Sequence, residues 1–535
     1  MDIRNNIRRQ GITSALRCIV GLLIFATSSS WGASTPPNIV YILADDMGIG
    51  DVTAFNANSK IATPHLDQLA NEGMRLTDVH TNSAVCTPTR YGILTGRYAW
   101  RSRLKNGVTK GHSDHLITAD QETVASLLKK QGYATAVVGK WHLGMDWTST
   151  DGLSIKPAGK NVDLSAALRN GPNSVGFDYY FGISASLNMN PHAYIENDRI
   201  LGEFQFLADK EAVKAAGLIS AKEGWMAKDF KQNQVMTTLI DKSIGWIENQ
   251  QKRNPQQPFF LYLPLNAPHS PIVPSPEFVD KSKLSPHGDF VMEVDYQVGR
   301  IAAALEEMNV ASNTLFIFTA DNGVSPMAKL DNMQQQGHYS SGQYRGLKGS
   351  LYEGGHRVPF IARWPGQIPT GSSSDYHAST TDLMATIADI TDTDLNPATG
   401  VDSISMLPVL QGKSVEDEAR GGVVYHSDSG RYAIRRGPWK LILHESGGTR
   451  RKNPKDEDQP VLPAGERQLF NMDQDPTERT NLQATHPEIA DQLTRLLASY
   501  INNGRSTEGP RQTNEKPVGK KKWPGLELLA PYLDS

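Results

Sequence analysis

Cys86 opens the run Cys86-Thr87-Pro88-Thr89-Arg90, which continues as Tyr91-Gly92-Ile93-Leu94-Thr95-Gly96-Arg97. The chain holds two cysteines, and the other, Cys18, sits in an N-terminal stretch that reads as a removable leader. With no second thiol left to pair with, Cys86 is either inert packing or a reactive group. Two polar pairs carrying three acids stand at the ends of apolar runs: Asp45-Asp46 after Asn38 to Leu43, and Asp321-Asn322 after Leu315 to Thr319. Acidic groups gathered at one edge repel unless a cation neutralises them, and hard oxygen donors suit Ca2+ or Mg2+. Taken singly, Asp-Asp and Asp-Asn-Gly are also ordinary turns. The cationic set is Lys140 and His142 in Gly139-Lys140-Trp141-His142-Leu143-Gly144, His269 after Ala267-Pro268, and Lys348 ahead of Glu353-Gly354-Gly355. Two lysines, two histidines and Arg90 beside a cation form a receptor for a compact oxyanion.

These groups meet only if strands deliver them to one edge. Asn38 to Leu43, Phe259 to Leu263 and Leu315 to Thr319 are continuous apolar runs, as expected of strands buried on both faces of a parallel sheet. Ala134 to Val138 reads the same way ahead of Lys140. Helices are expected at 122–131, 236–251 and 290–308; in the last, Phe290, Val294, Val298, Ile301 and Leu305 recur at helical spacing and read as core. Alternating strands and helices predict an α/β fold, a large mixed, mostly parallel sheet sandwiched by helices, over residues 34–411. Ligands of such sheets bind at the carboxyl ends of the strands. The pattern changes after Gly412. Short runs at 423–425, 432–434 and 439–443, a charged loop at 447–467 and a helix near 487–502 predict a smaller antiparallel sheet with one helix, 412–505. Residues 506–535, with Lys520-Lys521-Lys522, read as a solvated C-terminal tail.

The Cys-x-Pro-x-Arg run leading into Leu-Thr-Gly-Arg resembles the signature of the type I, formylglycine-dependent sulfatases. Asp45-Asp46, Cys86 to Arg90, Gly139 to Gly144, the Ala-Pro-His loop, Asp321-Asn322-Gly323 and Lys348 occur in that family's order, from about Asn38 to Pro359. The stretch Gln468 to Pro476, with Glu478 and Asn481-Leu482, is similar to the family's end domain. The resemblance implies an alkaline-phosphatase-like fold and a sulfuric ester hydrolase acting through a sulfo-enzyme intermediate. It implies that Cys86 is oxidised to formylglycine (3-oxoalanine), whose hydrate binds one Ca2+ with Asp45, Asp46, Asp321 and Asn322. Asp321 would take the proton of the attacking hydroxyl. Lys140 and Lys348 would hold the sulfate oxygens, and Arg90 and Lys140 would steady the modified side chain. His269, with Lys348, would protonate the leaving alkoxide, and His142 would deprotonate the second hydroxyl to expel sulfate. A formylglycine-generating or anaerobic sulfatase-maturating enzyme is the implied biosynthetic partner.

Composition narrows the setting. Across 535 residues, 39% hydrophobic and 21% charged content describes a globular chain with ample core material. The formal charge of −3 argues against a nucleic-acid partner. Arg4, Arg8, Arg9 and Arg17 ahead of the apolar run Ile19 to Thr27 and the small residues before Ser34 read as a signal peptide, residues 1–33. That run is too short to span a membrane. Export, periplasmic or secreted, favours a sulfated carbohydrate over a steroid or lipid sulfate; the general look is closest to bacterial polysaccharide and glycosaminoglycan sulfatases. The alternatives are a formylglycine-dependent phosphonate monoester or phosphodiester hydrolase, and a non-catalytic glycan-binding relative. Asn322, where many two-metal phosphatases carry His, favours a single metal ion. His112, His115, His192 and Arg199 lie in loops that could contact sugar, with ordinary loop polarity at least as good an account.

Overall fold

The strand Asn38–Asp45 is buried along its whole length, because parallel strands flank it on both sides and helices close the layer. The coordinates are a computed structural model that describes residues 36–415, 420–449, 462–463, 465–517 and 523–534. The expected leader with Cys18, residues 450–461 of the charged loop, and Lys520 to Lys522 lie outside the described residues. The main sheet has ten strands, in the order Ser372–Ser374, Met74–Leu76, Phe360–Arg363, Thr314–Ala320, Asn38–Asp45, Phe259–Pro268, Ala134–Lys140, Tyr179–Ile183, Ile195–Glu196 and Arg199–Ile200. From Thr314–Ala320 to Tyr179–Ile183 every neighbour is parallel, and antiparallel pairs join at either side. The sheet is the large, mixed, mostly parallel one expected of the sequence.

Register aligns the ends that matter. Leu43 pairs with Thr319 and Ala44 with Ala320, so Asp45 and Asp321 leave the sheet side by side. On the other flank the pairing slips between Leu43 and Asp45, bringing Asp45 opposite Pro268. Gly139 adopts φ 147°, and a Cβ there would sit 2.0 Å from the Pro264 carbonyl oxygen. Only glycine lets Ala134–Lys140 approach its neighbour this closely. Helices pack in two groups, Pro64–Glu72 with Val235–Arg253 and Pro286–Glu307, and Cys86–Thr95 with Val124–Lys130 and Leu383–Ile390. The stripe Phe290, Val294, Val298, Ile301 and Leu305 is buried as its spacing predicts.

A second sheet, antiparallel throughout, is built from Val423–His426, Tyr432–Arg436, Trp439–Ile442 and Gln468–Asn471. Pro487–Asn503 packs on it with Leu493, Leu497 and Ile501 buried. The sequence pattern does not predict the fourth strand, since only four residues follow a long charged loop. A buried ion pair ties the second sheet to the short helix Glu353–His356, with Lys440 Nζ 2.8 Å from Glu353 Oε1; the same ammonium lies 2.8 Å from Glu478 Oε1, beyond the sheet's last strand.

The C-terminal stretch corrects the expectation of a solvated tail. The Glu515 amide donates to the Arg101 carbonyl at 2.7 Å, and Trp523 Nε1 donates to the Tyr432 hydroxyl at 2.6 Å. Leu529 is fully buried in the cluster that contains Trp100, Leu469 and Leu497. The lysine run dominates the segment's composition, but Trp523, Leu526 and Leu529 at three-residue spacing supply an apolar face that needs covering. Leu529→Ala should cost about 2 to 3 kcal/mol of stability, as deletion of a fully buried leucine side chain does. Urea unfolding followed by tryptophan fluorescence checks this, and an unchanged midpoint would mean the segment does not pack.

Candidate active site

Asp45 ends its strand and Asp46 turns at once into the left-handed region, with φ 68°, which a short polar side chain tolerates. The turn separates the two carboxyls while keeping both under 2% exposed. Their charge is met from every side. Lys140 Nζ lies 2.5 Å from Asp45 Oδ2, and the Arg90 guanidinium is 3.6 Å from the same oxygen. Lys348 Nζ donates to Asp46 Oδ1, which also accepts from Asn322 Nδ2 at 2.8 Å. His269 Nε2 stands 3.7 Å from Asp46 Oδ2. Burial by itself would raise the Asp45 carboxyl; Lys140, His269 and Arg90 hold it well below the usual carboxylate range. Asp46 is lowered in the same way, against its burial, chiefly by Lys348.

Cys86 is the first residue of the helix Cys86–Thr95, all of whose residues are buried. Pro88 is admitted because a helix's first turn has no intrahelical use for its N–H groups. Those N–H groups also favour negative charge beside the Cys86 side chain. Gly96, at φ 62°, closes the helix by donating to the Gly92 carbonyl. Cys86 Sγ is 3.5 Å from Asp45 Oδ1 and 3.3 Å from Lys348 Nζ. Burial pushes its thiol up, but Lys140 and Lys348 bring it down to about 6. One turn on, Arg90 is wholly buried and spans two strand ends. Its Nε and Nη2 donate to Asp321 Oδ2 at 3.1 and 2.8 Å, and Nη1 donates to the Lys140 carbonyl at 2.8 Å. Burial and the nearby Asp45 push the Asp321 carboxyl well up in spite of this pair.

Backbone carbonyls set the two histidines. A carbonyl only accepts, so His142 Nε2, 2.9 Å from the Thr109 oxygen, carries the hydrogen and Nδ1 is the basic atom. Burial, Lys140 and Arg90 hold this imidazole well below its ordinary pKa, so it is neutral. His269 is oriented the other way: Nδ1 donates to the Ser270 carbonyl at 2.5 Å, and Nε2 faces Asp46. Neither Thr109 nor Ser270 could be found by motif, because each acts through its main chain.

Ligand atoms of Asp45, Asp46, Cys86 and His269 lie within 4.8 Å of one another. Asp321 and Asn322, expected among the ligands, adjoin this group: Asp321 Oδ1 accepts from the Asp46 amide at 3.2 Å. Asp46 Oδ2 and Asn322 Oδ1 are buried with no hydrogen-bond partner among the described residues. Unpaired inward oxygens amid carboxylates fit a hard divalent cation. Sulfur in the same shell does not, whereas oxygen at the Cys86 position would. The structure thus brings together all ten residues expected at the site. The four loop candidates have other work. His115 pairs with Asp146 at 2.8 Å, His192 Nε2 meets the Lys222 carbonyl, Arg199 donates to the Ser165 carbonyl, and His112 packs edge-on against Trp147.

Comparison with known proteins agrees with this geometry. The family model described as "Sulfatase" matches residues 37–393. An N-acetylgalactosamine-6-O-sulfatase of Bacteroides thetaiotaomicron is 32% identical over 505 residues, covering 87% of this chain and 93% of the relative. The N-acetylgalactosamine-6-sulfatase of Sus scrofa is 30% identical over 534 residues, covering 94% and 93%. A solved structure from work on the metabolism of multiple glycosaminoglycans by Bacteroides thetaiotaomicron superposes with a TM-score of 0.74 at 30% identity, covering 87% of this chain and 99% of that one. Phosphonate monoester hydrolase of Agrobacterium radiobacter, at 17% identity and a TM-score of 0.54, shares the fold. A family model over most of the chain, relatives 30% identical or more along nearly their whole length, and a sheet of this order lead to one conclusion: the protein belongs to the sulfatase family and is a sulfuric ester hydrolase.

Proposed function

We propose that this protein is an exported sulfatase that removes sulfate from a sulfated carbohydrate, using Cys86 after its oxidation to formylglycine and one Ca2+. The observation that carries this reading is Cys86 at a helix N-terminus, between Asp45 and Lys348, with Lys140 alongside. The glycan substrate is supported by the N-acetylgalactosamine-6-sulfatase relatives, which make a 6-sulfated hexosamine the first compound to test. Asp45, Asp46, Asp321, Asn322 and the modified Cys86 would hold the cation. The hydrated aldehyde at position 86 supplies a nucleophilic hydroxyl whose acidity the cation raises, and a second hydroxyl through which the aldehyde is restored.

The chain's own residues do the rest. Lys140 and Lys348 place two ammonium groups where the sulfate oxygens gain charge in the transition state. Arg90 ties the ends of two strands together, so the helix bearing Cys86 stays in register with Asp321. Asp321, pushed up by burial and by Asp45, is the carboxylate suited to accept a proton. His269, with its Nδ1 hydrogen committed to Ser270, turns Nε2 toward the acidic edge, and when the ring carries both hydrogens Nε2 would donate one to the departing alcohol. His142, neutral with Nδ1 basic, is suited to take the proton whose loss releases sulfate.

Cys86→Ala should abolish turnover of N-acetylgalactosamine 6-sulfate. Cys86→Ser, with one hydroxyl in place of two, should accept a single sulfo group and stop, which intact-protein mass spectrometry reads as one added SO3; repeated turnover by the serine variant would refute the role of the second hydroxyl. His269→Ala should lose about 10²- to 10⁴-fold in kcat on the sugar sulfate, the usual worth of a general acid. Its loss on an aryl sulfate should be much smaller, because a phenolate leaves unaided. Equal losses on both would remove His269 from that role. Prolonged chelation should lower activity, and added Ca2+ should restore it better than Zn2+, since the donors are hard oxygens; full activity in metal-free protein would exclude the ion.

A further inference from the structure

A cavity of about 950 Å3 opens beside the loop that ends at Lys348, and no residue assigned above lines it. One wall is Ile49-Gly50, three residues beyond Asp46, and another is the loop from Tyr339 to Leu347, which precedes Lys348 directly. The two walls are joined where the Gly50 amide donates to the Ser340 carbonyl at 2.8 Å. The cavity therefore shares its scaffold with the cation-binding end of the reaction centre.

Its charge is unlike that of the chain. Arg75, Lys329, Arg345 and Arg479 line it, and among the described residues Asp331 is the single acid that does so. The whole protein carries a formal −3, so four cations against one acid is a local concentration of positive potential. Two of the cations are fastened. Arg75 Nη1 donates to the Ala54 carbonyl at 2.7 Å, and Arg345 Nη1 donates to the Glu478 carbonyl at 3.1 Å while lying 3.8 Å over the Tyr352 ring. Guanidinium groups held in this way present an ordered cationic surface. Amides of Asn56 and Gln334 and the half-exposed ring of Tyr339 share the lining. Cations with amides and an aromatic ring suit an acidic saccharide, whose carboxylate or sulfate, hydroxyls and C–H face each find a partner.

We propose that this cavity binds a second anionic group of the glycan substrate, a carboxylate or sulfate carried elsewhere on the same chain as the reacting ester. The inference rests on the glycan reading above and extends it: the enzyme prefers acidic oligosaccharides to isolated sulfated sugars. Equilibrium binding of a 6-sulfated chondroitin hexasaccharide and of its unsulfated counterpart to the inactive Cys86→Ala protein tests it. Adding Lys329→Ala and Arg479→Ala should weaken binding of the sulfated hexasaccharide by roughly three- to ten-fold, the worth of two partly exposed ion pairs. A matching loss for the unsulfated hexasaccharide assigns the site to carboxylates, and a loss confined to the sulfated one assigns it to sulfate. With Cys86 present, the same pair should leave kcat and KM on N-acetylgalactosamine 6-sulfate unchanged. No weakening, an equal effect on the monosaccharide, or an equal weakening by the exposed control pair Lys228→Ala and Lys252→Ala would overturn the proposal. Failure of the unaltered enzyme to cleave the monosaccharide sulfate would count against the glycan reading alone, since hexasaccharide binding judges the cavity independently.

Discussion

Two adjacent carboxylates buried at the end of an apolar strand are the constraint that the rest of the structure answers. Removing one carboxylate from water costs several kcal/mol even after relaxation, and a second beside it adds repulsion. Asp45 and Asp46 persist because Lys140, Arg90, Lys348 and His269 converge on them from four other parts of the chain. The arrangement is more than neutralisation. Among the described residues Asp46 Oδ2 and Asn322 Oδ1 are buried without a hydrogen-bond partner, so the cationic side chains do not use up the acidic edge. What remains is a buried cluster in which carboxylate oxygens and ammonium groups stand in direct contact.

The same field sorts the titratable groups of the site. Asp321 shares its bidentate Arg90 with the neighbourhood of Asp45, and burial with that neighbour leaves it the readier of the two to be protonated. His142, surrounded by Lys140 and Arg90, is kept neutral, whereas His269 sits at the acidic rim beside Asp46. Their opposite tautomers are set by main-chain oxygens of Thr109 and Ser270, which only accept. The two rings thus turn different nitrogens to the site, Nδ1 of His142 and Nε2 of His269. Acid and base differ here by surroundings, not by residue type.

Much of this was legible in the sequence. The apolar runs at Asn38, Phe259 and Leu315 could be strands of a parallel sheet and little else, because each is too uniformly apolar to have a wet face. Polar residues at their carboxyl ends, Asp45, Asp46, Lys140, His269, Asp321 and Asn322, were then bound to share an edge, whereas Cys86, Arg90 and Lys348 were picked out by their resemblance to a family signature. Less legible were the fourth strand at Gln468–Asn471 and the packed C-terminus. A four-residue strand carries almost no periodicity, and at the C-terminus a run of lysines masked the three-residue spacing of Trp523, Leu526 and Leu529.

Residue type and order along the chain determined which polar groups stand at the strand ends and which end of the sheet holds them, since both follow from local chemistry and the alternation of strands with helices. Tertiary structure alone decided the pairings. That Arg90 clasps Asp321, that His269 comes within reach of Asp45, Asp46 and Cys86, and that His142 leaves Nδ1 basic all depend on approach distances between segments up to 231 residues apart. Four cations gathered in a cavity beside Lys348 are likewise invisible in one dimension, where Arg75, Lys329, Arg345 and Arg479 are scattered surface charges. Electrostatic energy depends on separation in space, and no reading of the chain in order supplies it.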